Sequence, residues 1–411
     1  MLYRLFNKKV FNIEPGLERI KNACKDIGNP QNNFHSILIS GTNGKGSTAV
    51  FLESLFRHHH FKTGLFTSPH LISETERWQI NREEINFKRL NTYISELKPV
   101  IEKHKLTYFE ASTLLAFKYF SDEKVDIAIL EVGLGGRWDS TNIVEPELSV
   151  ITNVSLDHTH LLGDTIEKIA FEKVGIGRKD KPLVIGSNQI EIVKEAEKKG
   201  IKEIYQFGKD FHFEINKNGS INYYFDIYTV KNLKPSILGK RQFNNLSTGL
   251  TAFLIYAERE MIPVGIGSIY EAVSNVKWKG RMEIIGENPV IVVDGAHNED
   301  AVEKSFEELK EIFPDKNIIT VYSGMRDKNV DKIVKVIKEN SKDIIFTKIP
   351  VSRSLDREDF KNLGGYKFVE KPENAVKYAK SIAKKDDIVF ITGSLYLVGE
   401  VLKRFLLNKV K

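Results

Sequence analysis

The sequence predicts an α/β protein with two domains: a P-loop mononucleotide-binding N-terminal domain and a smaller doubly wound, Rossmann-like C-terminal domain. Its 411 residues exceed the size of one typical domain. A strand, a glycine-rich turn and a helix follow one another over residues 35–56. Strand and helix patterns then alternate regularly from residue 289 to 407, which is typical of a doubly wound parallel sheet. We therefore expect domains at 1–280 and 281–411.

Composition restricts the kind of partner. The chain is 41% hydrophobic and 28% charged, with a net charge of +6, but its basic residues are scattered and form no basic arm. This pattern favours small anionic ligands over nucleic acid. Cys24 is the single cysteine, so no intramolecular disulfide can form. No uncharged apolar stretch reaches the roughly 18 residues of a membrane span. We expect a cytoplasmic protein without nucleic-acid or membrane partners, and a monomer by default.

The stretch SGTNGKGST at residues 40–48 has the features of a phosphate-binding loop. Its glycines let backbone N–H groups turn inward, and the following helix adds positive charge at its N-terminus. Lys45 supplies a full charge, and Ser47 or Thr48 offers a hydroxyl for magnesium. The spacing departs from G-x-x-x-x-G-K-[ST], because Ile39 stands at the first glycine position and Gly46 follows the lysine. The alternative is a flexible glycine turn.

Hydrophobic periodicity places the other elements. In the first domain we expect a polar, irregular loop at 72–85, an antiparallel hairpin around 211–228 turning at 217–219, strands at 62–67, 125–130 and 148–154, and helices at 14–29, 87–103, 109–120, 165–176 and 242–260. In the second, strands at 289–293, 317–322, 343–348, 366–369 and 387–392 alternate with helices at 299–313, 328–340, 355–363, 373–384 and 395–407.

Four residues at strand ends or in loops could share one metal centre: Ser68, Glu131, His158 and Lys173. Ligands of open α/β sheets collect at the carboxyl ends of the strands. A carboxylate beside a polyphosphate is a natural magnesium ligand, whereas histidine is a less usual one. Each residue taken singly could instead be a hydrogen-bonded strand end.

Further clusters lie at 240–245, at Arg281 and at 294–298. An arginine in a linker can clamp a transferring phosphoryl group, although a solvated surface charge is the simpler interpretation of one such residue. The histidines at 58–60 are consecutive and do not share a helical face, so a solvated helix end is favoured over a metal site.

Eight short motifs follow one another along the chain, in a set that spans about residues 14 to 402. The motifs are GTNGKGS (41–47), TSPHL (67–71), EVGLGGR (131–137), LDH (156–158), EKVGI (172–176), KGR (279–281), DGAHN (294–298) and GSLY (393–396). Together they resemble the dihydrofolate synthase/folylpolyglutamate synthase family of the Mur ligase superfamily.

The resemblance implies an ATP-dependent amide ligase that uses magnesium at two sites and joins L-glutamate to dihydropteroate or reduced folates. It implies magnesium ligation by Ser68, Glu131 and His158, and a carbon dioxide adduct, a carbamate, on Lys173. It implies catalytic roles for Lys45, Lys173, Arg281 and His297. It implies ATP contacts by Asn43, Gly44, Lys45, Gly46, Ser47, Asn245, Arg281 and Asp294. Finally, it implies pterin or folate contacts by Thr107, Tyr108, Phe109, Glu110, Trp138, Asp139 and Ser140.

The sequence departs from the family pattern at three places. Arg241 replaces a usual histidine, Arg82 stands where glycine is common, and the match at 325–328 is partial. The GRWD motif at 136–139 favours a bifunctional enzyme that also uses dihydropteroate.

The alternatives are a folylpolyglutamate synthase only, another Mur-type ligase acting on a cell-wall precursor, a metal-dependent hydrolase using His158 and Lys173, and a nucleotide-gated binding protein without turnover.

Overall fold

The computed structural model describes residues 1–6, 14–326, 328–361 and 366–409, with side chains described up to residue 405. Asp327 of the predicted motif at 325–328 and the last two residues of the predicted helix at 355–363 lie outside these ranges. The chain forms two compact units: Met1–Ser236 with Arg241–Val276, and Ile237–Lys240 with Lys277–Lys411. The short segment 237–240 therefore belongs to the second unit, which a single division at 280 does not anticipate. In the described ranges, no helix is long and apolar enough to cross a membrane.

The first unit contains most of the helices and strands. Its helices are α1 (Glu18–Asp26), α2 (Lys45–His58), α3 (Phe87–Lys103), α4 (Tyr108–Asp122), α5 (Thr159–Leu162), α6 (Ile166–Val174), α7 (Ile190–Lys199), α8 (Lys240–Arg259, whose first residue belongs to the second unit) and α9 (Ile266–Ser274). Its strands are β1 (His35–Ser40), β2 (Thr63–Phe66), β3 (Trp78–Ile80), β4 (Glu83–Glu84), β5 (Ile127–Glu131), β6 (Leu148–Ile151), β7 (Leu183–Ile185), β8 (Ile204–Gln206), β9 (Phe211–Ile215), β10 (Ile221–Phe225) and β11 (Tyr228–Leu233).

An eight-stranded sheet in the order β4-β3-β2-β5-β1-β6-β7-β8 organises this unit. It is parallel except at β3 and β4. Strands β2, β5 and β6 are buried along their whole length, as expected for parallel strands covered on both faces. The strands β9, β10 and β11 form a separate antiparallel sheet, which confirms the predicted hairpin.

The prediction of an irregular loop at 72–85 is wrong. A 3-10 turn at Glu74–Arg77 leads into β3 and β4, which form the edge of the main sheet. Trp78 is fully buried, and its indole Nε1 donates a hydrogen bond to the Ser112 carbonyl at 2.9 Å. These strands are too short to show a clear alternation of polar and apolar residues in the sequence. They form because they pair with the edge of the main sheet.

The second unit contains one mainly parallel sheet. Its strands are β12 (Glu283–Glu287), β13 (Val290–Val293), β14 (Asn317–Tyr322), β15 (Asp343–Thr347), β16 (Lys367–Val369) and β17 (Asp387–Thr392), and its helices are α10 (Glu299–Ile312), α11 (Val330–Asn340), α12 (Arg357–Lys361), α13 (Pro372–Ile382) and α14 (Leu395–Lys409). The order is β12-β13-β17-β14-β15-β16, with β12 antiparallel at the edge. The predicted α/β class with two sheet domains is confirmed. The elements α5, α7, α9, β7, β8, β11 and β12 have no counterpart among the sequence predictions.

Candidate active site

The glycine loop begins where β1 ends, and it is held by the residues that follow β6. Asn153 pairs with the peptide of Asn43: its Oδ1 accepts from the Asn43 N–H at 3.1 Å, and its Nδ2 donates to the Asn43 carbonyl at 3.0 Å. The Thr152 hydroxyl donates to the same carbonyl at 2.6 Å. Because β1 and β6 are neighbours in the sheet, their carboxyl ends bring these residues together. The loop is therefore rigidly supported.

Two glycines are required by the shape of this loop. Gly41 and Gly44 have φ values of +147° and +86°, which other residues rarely adopt. A Cβ at Gly41 would collide with the Thr152 side chain, and a Cβ at Gly44 would collide with Oδ1 of Asn245. Asn245 on α8 therefore lies directly against the loop at the start of α2. This explains why the sequence has glycine at both positions.

Lys45 and Lys173 meet at one backbone carbonyl. Nζ of Lys45 donates to the Gly41 carbonyl at 3.0 Å, and Nζ of Lys173 donates to the same oxygen at 2.9 Å. Lys173 is buried near the end of α6. Burial, together with the nearby charge of Lys45, holds the pKa of Lys173 well below its usual value. This environment favours the neutral amine of Lys173, a state in which lysine can act as a nucleophile.

The predicted metal ligands are only partly brought together by direct contacts. Glu131 ends β5 and pairs in register with Ile39 of β1, two residues before the loop glycine Gly41. Its Oε2 accepts a hydrogen bond from the Ser68 backbone N–H at 2.8 Å. His158 has a left-handed backbone, with φ +48°, and its N–H donates to Oδ1 of Asp157 at 2.8 Å. Among the described residues, no three histidine, cysteine, aspartate or glutamate side chains are grouped so that they could hold a metal ion.

The predicted pterin segments are largely engaged in internal hydrogen bonds. Thr107 and Glu110 form a capping box at the start of α4, and its T-x-x-E pattern is visible in the sequence. The Tyr108 hydroxyl donates to Oε1 of buried Glu74 at 2.8 Å. Ser140 and Thr113 share a hydroxyl–hydroxyl bond of 2.6 Å.

Asp139 accepts hydrogen bonds from the backbone N–H groups of Gly133, Leu134 and Thr141 and from the Thr141 hydroxyl, at 2.7 to 3.1 Å. Burial raises the pKa of Asp139, and these donors oppose the rise. Trp138 is half exposed, and Phe109 packs over Gly133. Phe109 is partly buried, whereas Tyr108 is buried, so Phe109 and Trp138 are the aromatic members of these segments that keep some exposed surface.

The second unit has its own polar cluster at the carboxyl end of β13. Asp294 is buried, and its carboxylate accepts from the N–H groups of Met282 and Ala296, both at 2.9 Å. A Cβ on Gly295 would lie 2.6 Å from Nη1 of Arg281, so the guanidinium rests on the Gly295 backbone. Nδ1 of His297 lies 3.2 Å from the Gly295 carbonyl. The structure thus brings together Arg281, Asp294 and His297 within this unit.

Sequence comparisons agree with this architecture. Residues 39–253 match the Mur ligase middle domain, and residues 280–395 match the Mur ligase glutamate ligase domain. The chain is 32% identical over 421 residues to the dihydrofolate synthase/folylpolyglutamate synthase of Bacillus subtilis, covering 96% of each sequence.

Structural comparisons point in the same direction. The chain is similar to E. coli FolC in complex with DHPP and ADP, with a TM-score of 0.92, 29% identity, and coverage of 99% of this chain and 97% of that one. It is also similar to a bifunctional folylpolyglutamate synthase/dihydrofolate synthase with Mn, AMPPNP and L-glutamate bound, with a TM-score of 0.89, 27% identity and 98% coverage of both chains. The chain therefore belongs to the dihydrofolate synthase/folylpolyglutamate synthase family of the Mur ligase superfamily.

Proposed function

We propose that this protein is a bifunctional, ATP-dependent ligase that joins L-glutamate to dihydropteroate and to folate (poly)glutamates. The observation that carries the proposal is the meeting of Lys45 and Lys173 at the Gly41 carbonyl of a glycine-rich phosphate loop. A simple nucleotide-binding loop has no use for a second, buried lysine at that carbonyl. The family relationship supports the same activity.

ATP is bound by the loop and the start of α2. The backbone N–H groups of Gly44, Gly46 and Ser47 and the positive N-terminus of α2 bind phosphate oxygens, while the Asn43 N–H donates to Asn153 and keeps the loop in shape. Lys45 donates to the Gly41 and Thr42 carbonyls at 3.0 and 3.2 Å, and it exchanges these partners for the phosphate oxygens and neutralises their charge. Asn245, which touches the loop at Gly44, orients the nucleotide.

A divalent metal ion fits the oxygen donors beside this loop. Magnesium usually binds through one or two carboxylates together with substrate phosphates. Glu131 supplies a buried carboxylate at the end of β5, and Ser68 supplies a hydroxyl next to it. His158 is the proposed ligand of a second ion. When bound, magnesium supplies neutralisation of the charge on the β- and γ-phosphates.

Lys173 is the proposed site of a carbamate. Its burial and the nearby Lys45 favour the neutral amine that adds carbon dioxide. The product carries negative charge, which would turn the repulsion from Lys45 into attraction. Mass spectrometry and ¹³C NMR of protein incubated with [¹³C]bicarbonate test this modification, with Lys173→Ala as the control.

The reaction proceeds by an acyl phosphate. A carboxylate oxygen of the folate substrate attacks the γ-phosphorus of ATP, and the bond from that phosphorus to the β,γ-bridging oxygen breaks to release ADP. The amine of L-glutamate then attacks the acyl carbon, phosphate leaves, and an amide is formed with loss of one proton. We propose Arg281, Asp294 and His297 as nucleotide contacts, with Arg281 and His297 assisting phosphoryl transfer.

The phosphate loop and the pterin segments lie in the first unit, whereas Arg281, Asp294 and His297 lie in the second, which matches the Mur ligase glutamate ligase domain. Phe109 and Trp138 contact the pterin, because they are the accessible aromatic residues of the two predicted segments. Thr107, Tyr108, Glu110, Asp139 and Ser140 shape that site through their hydrogen bonds. We propose that the enzyme acts in the cytoplasm, where ATP and glutamate are available. We also propose that it is a monomer.

A substrate assay tests the proposed function. The purified protein is given ATP, glutamate and magnesium with either dihydropteroate or tetrahydrofolate, and ADP and the amide product are measured. We expect the protein to form ADP and the amide product with both dihydropteroate and tetrahydrofolate. Turnover of tetrahydrofolate alone would leave a folylpolyglutamate synthase, and ATP-independent hydrolysis would favour a hydrolase using His158 and Lys173.

Lys45→Ala should abolish ligation while the fold survives, because the nucleotide loses its mobile positive charge. Circular dichroism checks the fold of the variant, and ADP release checks its activity. Near-normal ligation by the variant would contradict the role of the loop.

A further inference from the structure

We propose that Lys199 is a positioning residue that holds the end of α6 in place and thereby fixes Lys173. The proposal rests on the proposed ligase function. Lys199 is the last residue of α7, which packs against α6. Its Nζ donates to the carbonyls of Gly175 at 2.7 Å and of Val174 at 3.2 Å. These two residues directly follow Lys173, so a single ammonium group binds the carbonyls at the C-terminal end of the helix that carries the buried lysine.

Other elements hold the same segment of backbone. Nδ2 of Asn142 donates to the Gly175 carbonyl at 3.3 Å. Nη1 of Arg178 donates to the Ile176 carbonyl at 2.9 Å. The Arg137 N–H donates to the Glu172 carbonyl at 2.9 Å, and a Cβ at Gly175 would collide with Arg137. The backbone on both sides of Lys173 is thus fixed by side chains and loops from several directions.

Lys199 is a half-buried cation whose charged form is disfavoured by its surroundings. Burial, and then the charges of Arg178 and Arg137, lower the pKa of Lys199 to about 8. A half-buried cation whose pKa is lowered on folding contributes an unfavourable term to stability at neutral pH, which an apolar side chain of similar length would not. The two hydrogen bonds to the end of α6 offset that unfavourable term, and they fix the backbone next to Lys173.

The chemical consequence follows from the position of Lys173. Its Nζ lies 2.9 Å from the Gly41 carbonyl of the phosphate loop, and small displacements of reacting groups strongly lower rates. When the hold of Lys199 is lost, the Val174 and Gly175 carbonyls lose their cationic donor. Asn142, Arg178 and Arg137 then hold the segment less tightly, and Lys173 shifts relative to the loop. ATP binding by Lys45 and the loop does not depend on this hold.

The test compares Lys199→Met with Lys199→Arg and with a matched control, Lys198→Met. Lys198 is the preceding residue, its side chain is 68% exposed, and it pairs with Glu195 at the surface. For Lys199→Met we expect kcat to fall by about tenfold, KM for ATP to change by less than about twofold, and Tm to be unchanged or higher. Lys199→Arg, which keeps the cation, should recover most of kcat, and Lys198→Met should behave like the wild type.

Hydrogen–deuterium exchange supplies a readout that does not depend on activity. Amides of residues 172–177 should exchange faster in Lys199→Met than in the wild type or Lys198→Met. Wild-type kcat in Lys199→Met, or a loss of kcat that only follows a lower Tm, would overturn the proposal. If the wild type shows no ligation, the proposed function fails, and unchanged exchange at 172–177 would separately show that Lys199 holds nothing in place.

Discussion

Replacing Arg82 by glycine should destabilise the first unit, although glycine is the residue that its backbone conformation favours. Asn81 and Arg82 form the two-residue turn between β3 and β4, with φ values of +50° and +69°. This left-handed conformation favours glycine, yet arginine occupies position 82. Its retention there requires a compensating contact.

That contact is with Glu53, a fully buried carboxylate on α2. Oε1 of Glu53 accepts from Nε of Arg57 at 3.0 Å and from the Thr63 hydroxyl at 2.6 Å. Its other oxygen, Oε2, lies 3.8 Å from Nε of Arg82. Burial raises the pKa of Glu53, and the two arginines oppose that rise. Arg82 therefore balances a charge on the helix that begins at the phosphate loop.

The magnitude follows from two opposing effects. Removing one partner of a buried ion pair costs about 3–5 kcal/mol, and we take about 2 kcal/mol because Arg57 and Thr63 remain. Relief of the left-handed conformation returns about 1–2 kcal/mol, of which about 0.4–1 kcal/mol is lost to the greater freedom of glycine in the unfolded chain. The expected net destabilisation of Arg82→Gly is about 1 kcal/mol, or a Tm lower by about 2–4 °C.

Thermal and denaturant unfolding of the variant measure this effect. Asp226→Gly is the matched control, because Asp226 is an exposed turn residue with φ +48°, and this change should be neutral or stabilising. In Arg82→Gly, the further change Glu53→Gln should cost less than it does alone, since the two residues are coupled. An Arg82→Gly protein that is as stable as the wild type or more stable would refute the reasoning.

Three further predictions concern the loop, the second unit and the metal. Gly44→Ala should lower ligase activity and stability more than Gly28→Ala. The two glycines have similar φ values, +86° and +84°, but only at Gly44 would a Cβ collide with the Asn245 side chain. Equal effects of the two changes in activity and melting assays would show that backbone strain alone matters. Burial would raise the pKa of Asp387, but the Lys384 N–H, Lys342 and Asn317 outweigh it and hold that pKa below its ordinary value of 3.8. This carboxylate therefore stabilises the second unit above about pH 4, and that contribution is lost as the pH falls through its lower folded pKa. In a plot of unfolding free energy against pH, Asp387→Asn should therefore flatten the decline at acid pH. An unchanged decline would argue against this role. Removal of divalent ions with EDTA should abolish ligation and magnesium should restore it, whereas full activity in EDTA would exclude a metal-dependent ligase.

Much of the fold could be predicted because its signals are local. The strands Asn317–Tyr322 and Asp387–Thr392 lie where the hydrophobic runs place them, and helix Phe87–Lys103 has its predicted bounds. The turn at 217–219 joins two strands of the small antiparallel sheet. Runs and periodicities of this kind depend on a few neighbouring residues, and the chain carries them wherever it folds.

The candidate site was predictable only in part. The glycine loop and Lys173 could be singled out from motifs, but their meeting at the Gly41 carbonyl depends on how α6 packs against the sheet. The role of Asn153 leaves no motif, since an asparagine after a strand has many uses. The capping box formed by Thr107 and Glu110 was visible as T-x-x-E, and this helix-start signal was available in the sequence.

The sequence by itself determined the class of the fold, the position of the phosphate loop and the family, because these depend on local patterns and ordered motifs. The tertiary structure alone decided the partners of the inward-facing charged side chains: Arg82 lies beside Glu53, and Lys199 donates to the carbonyls after Lys173. The physical reason is that a buried charge requires a partner in space, and that partner comes from whichever distant element the sheet order brings beside it.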